Sequence, residues 1–158
     1  MTKFGLNIAG EYGKKLPAFS SLQQAEIALF AQRDSLLASL NLLWQKSSIF
    51  RADFTPESLN QLETLFFDSL DAQNFNRLGV DQTMFEQIIG MYFGEVLARN
   101  VPGTEWFVTE YAFERGKYEI GVRKGPVSLM LTNGLVPEPR ERNIKQRSLL
   151  RLYKRYAG

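Results

Sequence analysis

The chain has 158 residues, of which 44% are hydrophobic, 23% charged and 13% aromatic, with a net charge of +2 and neither histidine nor cysteine. Without those two residue types there is no Ser-His-Asp or Cys-His nucleophile, no ordinary zinc site and no side chain with an unperturbed pKa near neutrality, so no cofactor is expected and the chemistry points away from an enzyme. The length suits one domain over 1–158; no apolar run approaches the roughly 20 residues of a membrane span and the first residues lack a secretory leader, so a cytoplasmic chain is expected.

Residues 1–19 hold Gly5, Gly10, Gly13 and Pro17 and read as an arm, lying over the domain or loose in solution. From Ser21 to Lys46 there is no Gly or Pro, and Leu22, Ala25, Leu29, Leu36, Leu40 and Leu43 recur at helical spacing, which predicts one long amphipathic helix. Thr55-Pro56 places a capping hydroxyl before a proline suited to a first helical turn, opening a second helix to about Leu70. Asp81 caps a third, Gln82 to about Arg99, closed by Asn100, Pro102 and Gly103.

Beyond Gly103 the texture changes to short aromatic and β-branched segments, Thr104–Phe113, Lys117–Arg123 and Val127–Thr132. If Arg115-Gly116 and Lys124-Gly125 are two-residue turns, Tyr111 faces Ile120, Thr109 faces Val122, and Leu129 faces Ile120. That register gathers the large apolar residues on one face and leaves Glu110, Glu119, Arg123 and Ser128 on the other. A last helix is predicted over about Glu141–Tyr156. The expected fold class is therefore α+β: N-terminal helices, a three-stranded antiparallel meander and a basic, amphipathic C-terminal helix.

Three features bear on function. In the third helix, Gly90, Gly94 and Ala98 repeat every four residues away from a broad apolar stripe, a spacing that calls for close approach of another backbone or else forms an open groove. Glu95 and Arg99 sit there in the favourable acid-before-base order. On the outer sheet face Glu110 lies diagonal to Glu119, at about 7 to 8 Å, a separation that glycoside hydrolases use, although these two sit on a solvated face. The carboxylate-hydrolase reading is the third in rank. At the C-terminal end, residues 140–158 carry seven of the 19 basic residues (Arg140, Arg142, Lys145, Arg147, Arg151, Lys154, Arg155) and one of the 17 acids, a balance of +6 against −4 for the rest. On a helical wheel Arg147, Arg151, Lys154 and Arg155 share one face and Leu149, Leu152 and Tyr156 another, with Tyr153 and Tyr156 interleaved among the cations. Such a face either contacts phosphates, an acidic protein or a membrane surface, or is simply solvated with its cations complementing the helix dipole.

Gly90-Met91-Tyr92-Phe93-Gly94-Glu95-Val96, the following Arg99-Asn100, Gly103, and Trp106 entering a strand resemble a pattern in small bacterial domains of unknown function. The similarity spans about residues 57–156, including the Val136-Pro137 turn, and leaves the Ser21–Lys46 helix outside. Some bacterial proteins of this build are similar to immunity proteins encoded beside toxins, which act by binding. The leading expectation is thus a non-catalytic protein-binding or immunity-like module, with Glu95, Arg99, Trp106, Arg147, Arg151, Lys154 and Arg155 as candidate partner-binding residues. The alternative is nucleic-acid binding through the basic terminal helix. Trp44, Phe50, Phe54 and Phe75, placed near loops, are further candidate anchors or else the edge of the core.

Overall fold

Ser21 is extended and its side chain accepts the Gln24 N–H at 3.2 Å, starting helix α1 (Leu22–Ala38) where the sequence offers a hydroxyl cap. The computed structural model describes residues 10–138 and 147–158. The single helix expected to Lys46 is divided at Ser39, whose hydroxyl donates to the Ser35 carbonyl at 3.1 Å. Such back-bonds disturb the helical ladder, and α2 (Leu40–Gln45) follows as a separate segment. Helix α3 (Ser58–Ala72) opens at the Thr-Pro signal: the Thr55 hydroxyl accepts the Ser58 N–H at 3.2 Å, and the Ser58 hydroxyl donates back to the Thr55 carbonyl at 2.6 Å. Its last residue, Ala72, lies two beyond the expected stop, and Gln73 closes it in a left-handed conformation. Helix α4 (Gln82–Asn100) is capped as predicted, the Asp81 carboxylate accepting the Met84 N–H at 2.7 Å.

The sheet is a three-stranded antiparallel meander of β1 (Glu105–Glu110), β2 (Tyr118–Lys124) and β3 (Val127–Met130). Its first hairpin corrects the predicted register. Val108 faces Ile120 and Trp106 faces Val122, a shift of three residues from the Tyr111–Ile120 pairing. An odd shift turns the opposite face of β1 inward. The cause lies in the connection: Arg115-Gly116 is not a two-residue turn but the end of a longer loop, closed by the Tyr111 N–H to the Lys117 carbonyl at 2.7 Å, with the Gly116 N–H donated to Glu110 at 2.9 Å. The second hairpin differs by two, so Val122 faces Leu129, and the apolar face of β3 is kept.

Helices α1 and α4 pack against β1 and β2, and one continuous apolar core joins them. Gly90 and Gly94 resolve into two kinds of close approach. A Cβ on Gly90 would lie 2.8 Å from Cα of Gly134, whose φ of 80° suits glycine and whose own backbone is pressed onto that of Glu86. At Gly94 the neighbour is a side chain, the Trp106 indole, together with Leu131. Both glycines are buried, so this face is packing and not an open groove.

Of the N-terminal segment, residues 10–14 are helical and 17–19 run beside the start of β2: Ala18 bridges Lys117, and the Tyr118 N–H donates to the Pro17 carbonyl. Leu16 is buried, and the Tyr12 hydroxyl donates to Glu119 at 2.5 Å. Residues 10–19 therefore lie over the sheet. Helix α5 (Ser148–Ala157) starts later than the predicted Glu141, because Arg147 is extended; residues 139–146, with Arg140, Arg142 and Lys145, fall outside the described residues. Its start is held from outside the helix. The fully buried Glu63 carboxylate of α3 accepts the Leu149 N–H and the Ser148 hydroxyl, each at 2.9 Å, while Asn60 accepts the Arg147 N–H at 3.1 Å. At the other end the Lys124 ammonium donates to the carbonyls of Tyr156 and Ala157.

Candidate functional site

Helix α2 turns Leu40 and Leu43 into the core, which leaves Leu42 and Trp44 on the outside; Trp44 is 45% exposed. The chain then crosses an irregular segment, 46–57, in which Ile49 is 42% exposed and Phe50 is buried. Between this segment and α3 lies a groove of about 580 Å³, lined by Trp44, Ser47, Ser48, Ile49, Phe50, Arg51, Asp53 and Gln61. Trp44 and Ile49 are thus large apolar side chains left exposed in the lining of a cleft. Of the four loop aromatics singled out in the sequence, Phe50 is core, Phe54 and Phe75 pack on its edge, and Trp44 alone stands substantially free.

Next to Asp53 of the lining, and outside the lining itself, the chain is held by α4. Phe54 has a φ of 59°, a left-handed conformation that a bulky side chain adopts only when its surroundings impose it. Four contacts do so. Its N–H donates to the Tyr92 hydroxyl at 3.0 Å, its carbonyl accepts the Asn100 amide at 2.8 Å, its ring lies 5.0 Å from the Tyr92 ring, and the Arg99 guanidinium sits 3.6 Å from its centroid. Tyr92 is itself fully buried, its hydroxyl 2.6 Å from that of Ser58, and burial holds its pKa above the ordinary value. At the near end, Asp53 accepts the Thr55 N–H and hydroxyl at 3.1 and 2.7 Å; the hydroxyl bond, foremost, lowers its pKa.

Three predicted site residues meet in this arrangement. Glu95 accepts the Arg99 guanidinium at 2.9 Å through one oxygen and the Trp106 indole N–H at 3.0 Å through the other. Arg33 of α1 covers the remaining side of Trp106, 5.3 Å from its ring. Glu95, Arg99 and Trp106 thus engage one another and, through Arg99, the Phe54 ring. Neither they nor Phe54 lines the groove. What the sequence offered no sign of is the Phe54 backbone and the Asn100 amide that clamps it, since both depend on contacts 38 and 46 residues apart.

The four basic candidates lie elsewhere and divide. Arg147 precedes α5, Arg151 is half-buried, and Lys154 and Arg155 are exposed in the last turn. The inward face is Leu149, Leu150, Tyr153 and Tyr156, so the tyrosines do not interleave with the cations at the surface, and Leu152 is only half-buried. The acidic pair is also dissolved. In the observed register Glu110 pairs with Tyr118 and Glu119 with Thr109, which puts the two carboxylates on opposite faces of the sheet. Each is engaged, Glu110 with the Gly116 N–H and Glu119 with Tyr12.

With this geometry established, the chain was compared with known proteins. The family profile described as "Uncharacterised protein YwmA" matches residues 18–157. The chain belongs to the YwmA family. It is similar to the Bacillus subtilis (strain 168) protein described as "Uncharacterized protein YwmA", 30% identical over 146 residues that make up 90% of each chain. The family match takes in the α1–α2 region that the resemblance over 57–156 left aside, so the groove and the clamp on Phe54 lie within it. No solved structure matches the chain. No helix among the described residues is long and apolar enough to cross a membrane.

Proposed function

We propose that the chain is a non-catalytic protein-binding module, of the kind that immunity proteins exemplify, and that its partner seats on the groove between α2 and α3. The observation that carries this reading is the placing of exposed Trp44 and Ile49 in the lining of a cleft of about 580 Å³. Tryptophan gives large contact area with few torsions to freeze.

The nucleic-acid alternative rests on Lys154 and Arg155, the two exposed cations of the four candidates. Two charges release few counterions, so DNA binding near physiological salt is expected in the non-specific range of roughly 10⁻⁴ to 10⁻⁶ M. The test of the leading reading is photo-crosslinking in the producing bacterium from a reactive residue at position 49, with position 27 as control, since Ile27 is also exposed but sits on α1. The expected result is one defined protein joined at 49 and not at 27, which binds the purified chain and loses affinity for Trp44→Ala. Equal products at both positions, or reconstituted binding indifferent to Trp44, contradicts it.

A further inference from the structure

We infer that the chain forms a two-fold dimer, in which β3 of one copy pairs antiparallel with β3 of a second copy to make one continuous sheet. The strand order leaves β1 and β3 as the two edges. The edge at β1 packs against α1 and has a glutamate at each end, Glu105 and Glu110. The edge at β3 has no such cover, since β3 packs chiefly against β2. The Leu131 N–H donates to the Ile120 carbonyl at 2.9 Å, so the backbones of Val127, Leu129 and Leu131 point toward β2 and those of Ser128 and Met130 point away. Among the described residues, the outward N–H and C=O groups of Ser128 and Met130 have no hydrogen-bond partner. Such groups are a template for another strand unless charge, proline or a covering element blocks them.

Charge does not block this edge. Residues 126–137, the run that contains β3, include no charged side chain in a chain that is 23% charged. The cations beside it on β2 are engaged elsewhere: Arg123, opposite Ser128, binds Glu105 at 2.8 Å, and Lys124, opposite Val127, donates to the last carbonyls of α5. Pairing about a two-fold axis at Leu129 sets Ser128 opposite Met130 of the second copy, and each such pair exchanges both of its N–H to C=O bonds. The axis brings half-buried Leu129 against its own counterpart on the core face, where Val127, 48% exposed, is covered beside it. The occupant is therefore a second copy, because the edge complements itself in hydrogen bonds, in its apolar face and in its lack of charge. The shortness of β3 limits the buried area to that of a weak interface, with a dissociation constant of roughly 10 to 100 µM. The edge supplies no residue to the groove lining, so the dimer stands independently of the groove.

Sedimentation equilibrium of the full chain from about 5 µM to about 1 mM tests the pairing, and the parent chain should pass from monomer to dimer across that range. In Ser128→Lys/Met130→Lys, like charges face each other across the axis, and dimerisation should weaken by at least about tenfold. Ser128→Lys/Met130→Glu puts opposite charges at the same places and should keep the parent affinity within about threefold. Ser128→Pro removes an outward N–H that the fold leaves unused, so it should weaken the dimer in a folded chain and serves if a charged variant fails to fold. Hydrogen exchange at the Ser128 and Met130 amides should slow as the parent concentration rises. A parent chain that stays monomeric to about 1 mM, equal dimerisation of the two charged variants, a Ser128→Pro dimer as tight as the parent, or exchange at those amides indifferent to concentration overturns the inference. A foreign strand as the occupant of this edge gives the first of these results.

Discussion

Tyr12 shows how much one side chain can report about the fold. Its hydroxyl is bonded to Glu119, and its pKa is raised first by burial and then by the bond to, and the charge of, that carboxylate. A tyrosine whose folded pKa exceeds the ordinary value near 10 stabilises the fold fully below that value, and the contribution is lost as the pH rises through the raised one. Thermal unfolding measured from about pH 9 to about pH 11.5 should therefore fall less steeply for Tyr12→Phe than for the parent chain, with a cost of about 1 kcal/mol at neutral pH from the missing hydrogen bond. Identical slopes would show that the Tyr12–Glu119 contact is not formed in solution. The same contact was invisible in the sequence. Glu119 reads there as a residue on a solvated strand face, whereas it is 8% exposed beneath residue 12. Local caps were legible because donor and acceptor lie within three residues, as at Thr55 and Asp81. A bond across 107 residues leaves no such mark.

Among the elements, α5 depends most on others. A ten-residue helix is marginal alone, and here a buried carboxylate on α3 supplies the cap at its start while a lysine from β2 meets its last carbonyls. Glu63→Ala should lower stability by about 2 kcal/mol, since it leaves the Leu149 N–H and Ser148 hydroxyl without their acceptor. Hydrogen exchange should show the α5 amides opening first while α4 stays protected; equal loss of protection in both would mean that α5 is not held separately. The helix itself was legible from its apolar spacing, but its start was not, because the cap comes from Glu63 and Asn60 and not from the residues just before it. The strands teach a related lesson. Their existence and order were legible from aromatic and β-branched runs, and the β2–β3 face was preserved. The β1–β2 register was not, since Arg115-Gly116 mimics a tight turn while the chain closes its loop four residues earlier, at Tyr111. That error also produced the expected carboxylate pair, which the observed register separates.

At the scale of the whole molecule, the positive C-terminal end and the exposed aromatic groove offer two different surfaces for a partner. The sequence pointed to both, naming Trp44 among its loop aromatics and the cations of α5. Only tertiary structure distinguishes them, by burying Phe50 and Tyr153 and half-burying Arg151 while leaving Trp44 and Ile49 outside. Glu95, Arg99 and Trp106, which the sequence set beside the basic residues as one candidate group, engage one another and, through Arg99, the Phe54 ring. The most direct measurement is the affinity of the purified, crosslink-identified partner for Trp44→Ala compared with the double variant Lys154→Gln/Arg155→Gln. If the groove is the binding surface, Trp44→Ala weakens binding by at least about thirtyfold, as truncation of a central aromatic anchor does, and the double variant stays within about twofold of the parent chain. A partner that tolerates the loss of Trp44 but not of the two α5 cations would contradict the account.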